Sequence, residues 1–149
     1  MVILGLGTNL GDRLNNLRDA LKLIKTIPEL SGKQVSPVYI SDALLPENAP
    51  PAWNKSYLNL ALRCETTLSP HELLLKTQKI ETEMGRTAKA NWGPRIIDID
   101  LLAWDDLTVL DEKLQIPHKE LMHRPWALWP LLDVAPFWNT TFENKWGSR

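Results

Sequence analysis

One alternating stretch constrains this chain more than any other. Residues 91–102 read Asn-Trp-Gly-Pro-Arg-Ile-Ile-Asp-Ile-Asp-Leu-Leu. The Gly93-Pro94 corner delivers Arg95 into a strand pattern in which Ile97, Ile99 and Leu101 alternate with Asp98 and Asp100. Successive strand side chains point to opposite faces, so the apolar residues fill a core and both carboxylates share the other face. Two residues of strand rise put the acidic Cα atoms about 6.6–6.8 Å apart. Two carboxylates so placed can bridge hard divalent cations such as Mg²⁺, which take oxygen ligands and keep waters and substrate phosphates. A bare Asp-x-Asp favours an edge strand with two solvated acids, because acids usually face water. The Trp-Gly-Pro-Arg directly upstream shifts the balance toward the cation site.

Composition sets the outer bounds. The 149 residues form the length of one domain, 1–149, with enough chain for a proper core. Seventeen basic and eighteen acidic side chains nearly cancel, so no global field points to nucleic acid or an anionic membrane. The lone cysteine, Cys64, excludes an internal disulfide framework and reads as a small core residue. No stretch approaches membrane-spanning length and no secretory signal opens the chain. The expectation is a soluble cytoplasmic protein.

In chain order, Val2 to Leu6 reads as a buried strand. Its glycines follow the spacing Gly-x-Gly-x-x-x-Gly at 5, 7 and 11, which is a weak match to a dinucleotide fingerprint. Gly7 and Gly11 are instead expected to permit a tight strand-to-helix turn. Asp12 is a candidate N-cap for a helix with Leu14, Leu17, Leu21 and Ile24 on one face. Residues 33–40 read as extended, with an edge or bulge near Pro37. The proline-bearing stretch Ser41 to Asn54 is long for a connection inside a compact domain, and a lid is the favoured reading.

Tyr57 to Thr67 is a strand with Leu58, Leu60, Leu62 and Cys64 on one face and Tyr57 and Asn59 on the other. That aromatic and amide pair can clamp a flat heterocycle, or simply lie on a half-exposed sheet face. Ser69-Pro70-His71-Glu72 is a capping box opening a helix that runs to Met84 and stops at Gly85. Within it Gln78 and Glu81 share a surface. After the Asp-x-Asp strand, Trp104 to Leu110 reads as a turn and a short returning strand, Ile116-Pro117-His118 leads into a short helix, and Pro125 to Pro136 is a further helical segment. The tail from about residue 137 carries little signal beyond Trp138, Phe142 and Trp146, which read as surface-packed aromatics.

This order gives an α+β fold: a ferredoxin-like βαββαβ core, its antiparallel sheet carrying helices on one face, plus C-terminal helical additions. The opposite face is expected to be solvated and to hold both the aspartates and the Tyr57/Asn59 pair. Paired carboxylates for Mg²⁺ with Arg95 and Arg86 nearby point to phosphoryl chemistry. His118, after its proline, either donates to a phosphate or is structural. Ferredoxin-like sheets with paired aspartates also serve nucleotidyl transfer and cyclisation.

The motifs taken together resemble one family, 6-hydroxymethyl-7,8-dihydropterin pyrophosphokinase. They are Gly7-Thr8-Asn9-Leu10-Gly11, Tyr57-Leu58-Asn59, Gln78-Lys79-Ile80-Glu81, Gly85-Arg86, Trp92 through Asp100, Ile116-Pro117-His118 and Arg124-x-Trp126-x-Leu-Trp-Pro-Leu131. The resemblance covers almost the whole chain. It implies transfer of pyrophosphate from Mg-ATP to the pterin hydroxymethyl group with release of AMP. Asp98 and Asp100 would hold two Mg²⁺ ions, and Arg95 and Arg86 would contact transferring phosphates, Arg86 on a closing loop. Gln78, Glu81, Trp92, Leu101, His118 and Arg124 would lie on the nucleotide side. Ser41, Asp42, Leu44, Tyr57, Asn59 and Trp126 would form the pterin pocket.

The chain departs from the family pattern in places. Trp126 stands where phenylalanine is common, and Asp42 replaces a typical proline. Asn91 takes the place of a basic residue in a loop one residue short, where Lys89 is the remaining cation. Lys119 replaces an aromatic. These departures imply weaker nucleotide-loop contacts or slower closure with the chemistry intact. Partners implied are ATP and the reduced pterin, and a monomer is expected.

Overall fold

The computed structural model describes residues 1–42, 45–85 and 94–138. Among the described residues, seven strands and three α-helices follow one another as β1 (Val2–Thr8), α1 (Arg13–Lys25), β2 (Leu30–Val35), β3 (Tyr39–Ser41), β4 (Tyr57–Thr66), α2 (Pro70–Glu83), β5 (Asp98–Trp104), β6 (Val109–Leu110), β7 (Gln115–Ile116) and α3 (Pro125–Val134). The fold is α+β. The main sheet runs β2-β4-β1-β5, with β3 also paired to β4, and every pairing is antiparallel.

Local chemistry accounts for the element ends. Asp12 accepts the Asn15 N–H at 3.1 Å and caps α1. Ser69 and Glu72 complete the capping box of α2, and Gly85 closes that helix region at φ +90°. Near Pro37 the sheet edge breaks into β2 and β3, as the proline suggests. Ser36 bridges the break: its N–H donates to Ala61 O at 2.9 Å, and its Oγ accepts the Ala61 N–H at 2.8 Å. Ile97 lies just ahead of β5 but is fully buried, so the alternating pattern begins one residue before strand pairing does.

The period-two pattern sorts the strands as expected. Val2, Leu4 and Leu6 of β1, Leu60, Leu62 and Cys64 of β4, and Ile99 and Leu101 of β5 meet Leu17, Ala20, Ile24, Leu73 and Ile80 of the two long helices. Burial pushes the Cys64 thiol up, in keeping with a core role. Leu14 departs from the expected helix face: it is exposed, and Ala20 fills the buried stripe between Leu17 and Ile24.

The opposite face of the sheet is not wholly solvated. Ile3, Ala61, Leu102 and Ala103 form a second core with Leu121, Leu131, Val134, Ala135 and Trp138. Helix α3 therefore covers one end of that face, and Trp138 is buried there rather than packed on the surface. Arg63 fastens the helix end, donating to Val134 O at 3.0 Å, with its guanidinium 5.3 Å from the Phe137 ring centroid. The polar half of the face stays open beside α3. Among the described residues no helix is long and apolar enough to cross a membrane. Phe142 and Trp146 lie outside the described residues.

Because Leu131 is fully buried in the second core, Leu131→Ala is expected to destabilise the fold by about 2–5 kcal/mol. Urea denaturation should show a lowered midpoint with little change in slope.

Candidate active site

The open half of this face is a cleft between β1, β4, β5 and the start of α3, enclosing about 870 Å³ with its open mouth included. Its floor is β1. Gly7 pairs with Asp98 on one side and Asn59 on the other, and Gly5 pairs with Asp100 and Ala61. A Cβ on Gly7 would lie 3.1 Å from Asn59 Oδ1 and 3.5 Å from Tyr57 Cδ1, and one on Gly5 would lie 2.9 Å from Leu102 Cδ1. The glycines thus keep the floor low where side chains from both neighbouring strands lean in. Gly7 sits inside β1, so the expected turn role falls to Gly11 alone, at φ +72°.

On the β5 side Asp98 and Asp100 both line the cleft. Arg95 Nη1 donates to Asp98 Oδ1 at 2.9 Å. Burial pulls the Arg95 guanidinium down, but the Asp98 charge and hydrogen bond, aided by Tyr57 and Asp100, hold it above its ordinary value. On the β4 side, Tyr57 and Asn59 line the cleft with Asp42, while Trp126 and Arg124 close it from α3. Asn59 Nδ2 donates to Ser41 Oγ at 2.9 Å and Tyr39 O at 3.4 Å, which leaves Oδ1 over Gly7 as an acceptor. Ser41 reaches the cleft through that hydrogen bond. Arg124 Nε is buried without a hydrogen-bond partner, a donor suited to an anionic ligand in the cleft its residue lines.

His118 lines the same cleft. Its backbone N–H donates to Leu102 O at 3.0 Å, fixing the residue beside β5. Nδ1 lies 3.2 Å from the Glu120 N–H, so it accepts and the ring carries its proton on Nε2. Burial lowers the His118 pKa, with Asp100 pulling up and Arg124 pulling down.

Three predicted residues lie away from the cleft. Gln78 is exposed on α2, and the Leu101 side chain is in the main core, on the face opposite the aspartates. Glu81 is buried between them, its Oε2 accepting the Ile99 N–H at 3.0 Å. That bond satisfies one outward N–H of β5 and holds the residue between the two aspartates, so Glu81 meets the strand at its backbone. Arg86, Trp92 and Leu44, with Lys89 and Asn91, lie outside the described residues. The glycine floor and Asn9, which accepts the Arg95 N–H at 2.7 Å, were not singled out from the residues. The small residues opposite acids acquire meaning only when the strand register is known.

The profile of the 7,8-dihydro-6-hydroxymethylpterin-pyrophosphokinase (HPPK) family matches residues 3–136. The chain belongs to this family. It is 39% identical over 135 residues to the 2-amino-4-hydroxy-6-hydroxymethyldihydropteridine pyrophosphokinase of Aquifex aeolicus, a match spanning 91% of this chain and 80% of that protein. The Bacillus subtilis protein of the same name is 36% identical over 132 residues, covering 89% and 76% of the two chains. The mitochondrial folate synthesis bifunctional protein of Pisum sativum is 36% identical over 138 residues, covering 89% of this chain and 25% of the larger protein.

The HPPK-type cleft offers a hard-cation donor set: two carboxylates on one strand face, facing open space. No group of three or more His, Cys, Asp or Glu suited to a metal occurs among the described residues. Two protein oxygens fit Mg²⁺, which fills its remaining positions with water and phosphate, better than a cation needing a full protein cage.

His118 is expected to titrate below the ordinary histidine value of about 6.5. The unfolded chain then binds more protons as pH falls from that value toward the folded one, so the His118 contribution to stability is complete above this window and declines through it. Imidazole NMR titration, with denaturation at several pH values, checks both.

Proposed function

We propose that the chain transfers the terminal pyrophosphoryl group of ATP to the hydroxymethyl group of 6-hydroxymethyl-7,8-dihydropterin, releasing AMP, as a step of folate biosynthesis. The observation that carries the reading is the row Asp98–Gly7–Asn59 across three strands, with a carboxylate and its arginine at one end and Asn59 beside Tyr57 in the same cleft at the other. Family membership and the names of the bacterial relatives support the same reaction.

In this reading the slot of Tyr57, Asn59 and Trp126 holds the pterin ring, with Asn59 Oδ1 accepting from its donor-rich edge and the aromatics stacking on its face. Ser41 orients Asn59, Asp42 borders the ring, and Leu44 would complete the pocket. Asp98 and Asp100 would hold two Mg²⁺ ions, which when bound screen the triphosphate and stabilise the departing AMP oxygen. Arg95 neutralises charge on the transferring phosphates. His118 donates through Nε2–H, and Arg124 through its unpaired Nε–H, to phosphate oxygens. The pterin hydroxyl oxygen attacks the β-phosphorus and gives up its proton to solvent, the bond from the β-phosphorus to the α–β bridging oxygen breaks, and AMP leaves with that oxygen.

Glu81 meets the outer edge of β5 at the Ile99 N–H, and in this reading Gln78, Glu81 and Leu101 would serve the nucleoside end. The Ile99 N–H points outward to Glu81, so the Leu101 peptide, two residues on, faces the same way and can meet the base. Arg86 and Trp92 would come from the second loop, and Ser41 to Asn54 would act as a lid. We further infer a ferredoxin-like single domain, supported by the β2-β4-β1-β5 order in which each βαβ crossover spans an antiparallel strand. A cytoplasmic monomer completes the reading.

Incubation with Mg-ATP and the reduced hydroxymethylpterin should yield AMP and pyrophosphorylated pterin in equal amounts. Asp98→Ala should lower the rate by about a hundredfold or more. Release of ADP or inorganic pyrophosphate, or an unchanged rate in Asp98→Ala, would overturn the assignment.

A further inference from the structure

We propose that Asn9 is a positioning residue for the transfer, its carboxamide joining the turn that presents Arg95 to the chain that leads into Tyr57. The inference rests on the pyrophosphoryl-transfer reading above. Asn9 follows β1 and is 3% exposed. Its Oδ1 accepts the Arg95 N–H at 2.7 Å, and its Nδ2 donates to Lys55 O at 3.1 Å. Its own backbone N–H donates to Arg95 O at 3.0 Å. One amide therefore grips two segments far apart in sequence, one ending in the guanidinium beside Asp98 and the other two residues short of Tyr57.

The partners have opposite polarity, which fixes the orientation of the amide and the residue type. A carboxylate cannot donate to Lys55 O, and an aliphatic side chain can serve neither partner. A charge that stabilises a transferring phosphate is effective only if it is in place before reaction. The Arg95 side chain is set by its backbone, and Asn9 holds both the N–H and the C=O of that residue. Arg13 steadies the neighbouring residue, its Nη1 donating to Ser56 Oγ at 2.8 Å.

The two halves of the amide are separable. Asn9→Ala removes both side-chain bonds but keeps the backbone bond to Arg95 O. Asn9→Asp keeps an acceptor for the Arg95 N–H and turns an oxygen on Lys55 O. Steady-state kinetics should show kcat of Asn9→Ala lowered about ten- to hundredfold, with the ATP KM changed less than about threefold. Added to Arg95→Ala, the same change should cost less than about twofold, because its effect runs through the missing guanidinium. Asn9→Asp should retain more kcat than Asn9→Ala and raise the pterin KM by about tenfold.

Amide hydrogen exchange gives a readout independent of turnover: the Arg95 N–H should exchange faster in Asn9→Ala and remain protected in Asn9→Asp. Equal losses in the wild-type and Arg95→Ala backgrounds, or an unchanged Arg95 exchange rate in Asn9→Ala, overturn the proposal. If Asn9→Ala does not fold, Asn9→Asp decides, and a wild-type pterin KM in that variant overturns it. Absence of wild-type turnover refutes the proposed function instead, and the exchange rates still decide whether Asn9 holds the turn.

Discussion

The register that binds β1 between β4 and β5 is the constraint on which the cleft depends, because it sets three chemically unlike side-chain positions in one row. Gly7 stands between Asp98 and Asn59, and Gly5 between Asp100 and Ala61. Slipping either neighbour by one residue would turn its acids or amide into the helix-covered core and its leucines or isoleucines into the cleft. Such a slip is opposed by the whole apolar set on the other face, from Val2 to Leu101. The core thus fixes the site without touching it: burying Ile97, Ile99 and Leu101 obliges Asp98 and Asp100 to face the opening.

The edge of β5 is secured from both directions. Glu81 accepts the outward N–H of Ile99 from α2, and His118 donates its backbone N–H to Leu102 O from the chain after β7. An edge strand with unpaired groups is free to fray or to pair elsewhere. Here one bond holds the residue between the two aspartates and the other holds the strand two residues beyond Asp100, keeping the segment against β1. Burying the Glu81 carboxylate is costly without strong partners, and the Ile99 N–H bond is one of those that offset the cost. Its place on α2 ties helix packing to the geometry of the aspartates.

Much of this was readable from local chemistry. Alternation named the strand faces, Asp12 and Ser69 named helix starts, and Pro37 named the break in the sheet edge. These signals act within a few residues, where backbone sterics and side-chain capping decide the outcome. The Asp-x-Asp stretch with its upstream arginine also marked the cleft wall. What escaped depends on contacts between distant segments. Helix α3 covers half of a face expected to be open, because Ile3, Ala61 and Ala103 interrupt the polar pattern and come together only when three strands are paired. Gly7 looked like a turn residue since sequence alone cannot separate a glycine that bends the chain from one that makes room. Gln78 and Glu81, three apart on a helix, seemed one surface, yet one is exposed and the other reaches the sheet edge.

Electrostatics and spacing in the cleft follow from the same frame. Asp98 and Asp100 place two negative groups on one wall, and Arg95 offsets part of that charge by pairing with Asp98. His118, kept neutral by burial, adds a donor without adding a second full positive charge beside the acids. The wall therefore remains favourable to a cation while still offering donors to anionic oxygens. Antiparallel neighbours lie about 4.5–5.5 Å apart at Cα, so Asn59 and Asp98, with Gly7 between them, are held roughly 10 Å apart. In the proposed reaction that span would take a flat bicyclic ring at one end and a phosphate chain at the other, with the bond-forming atoms above the glycine. A side chain at position 7 would crowd Asn59 and Tyr57 and fill the floor between the two ends of that row.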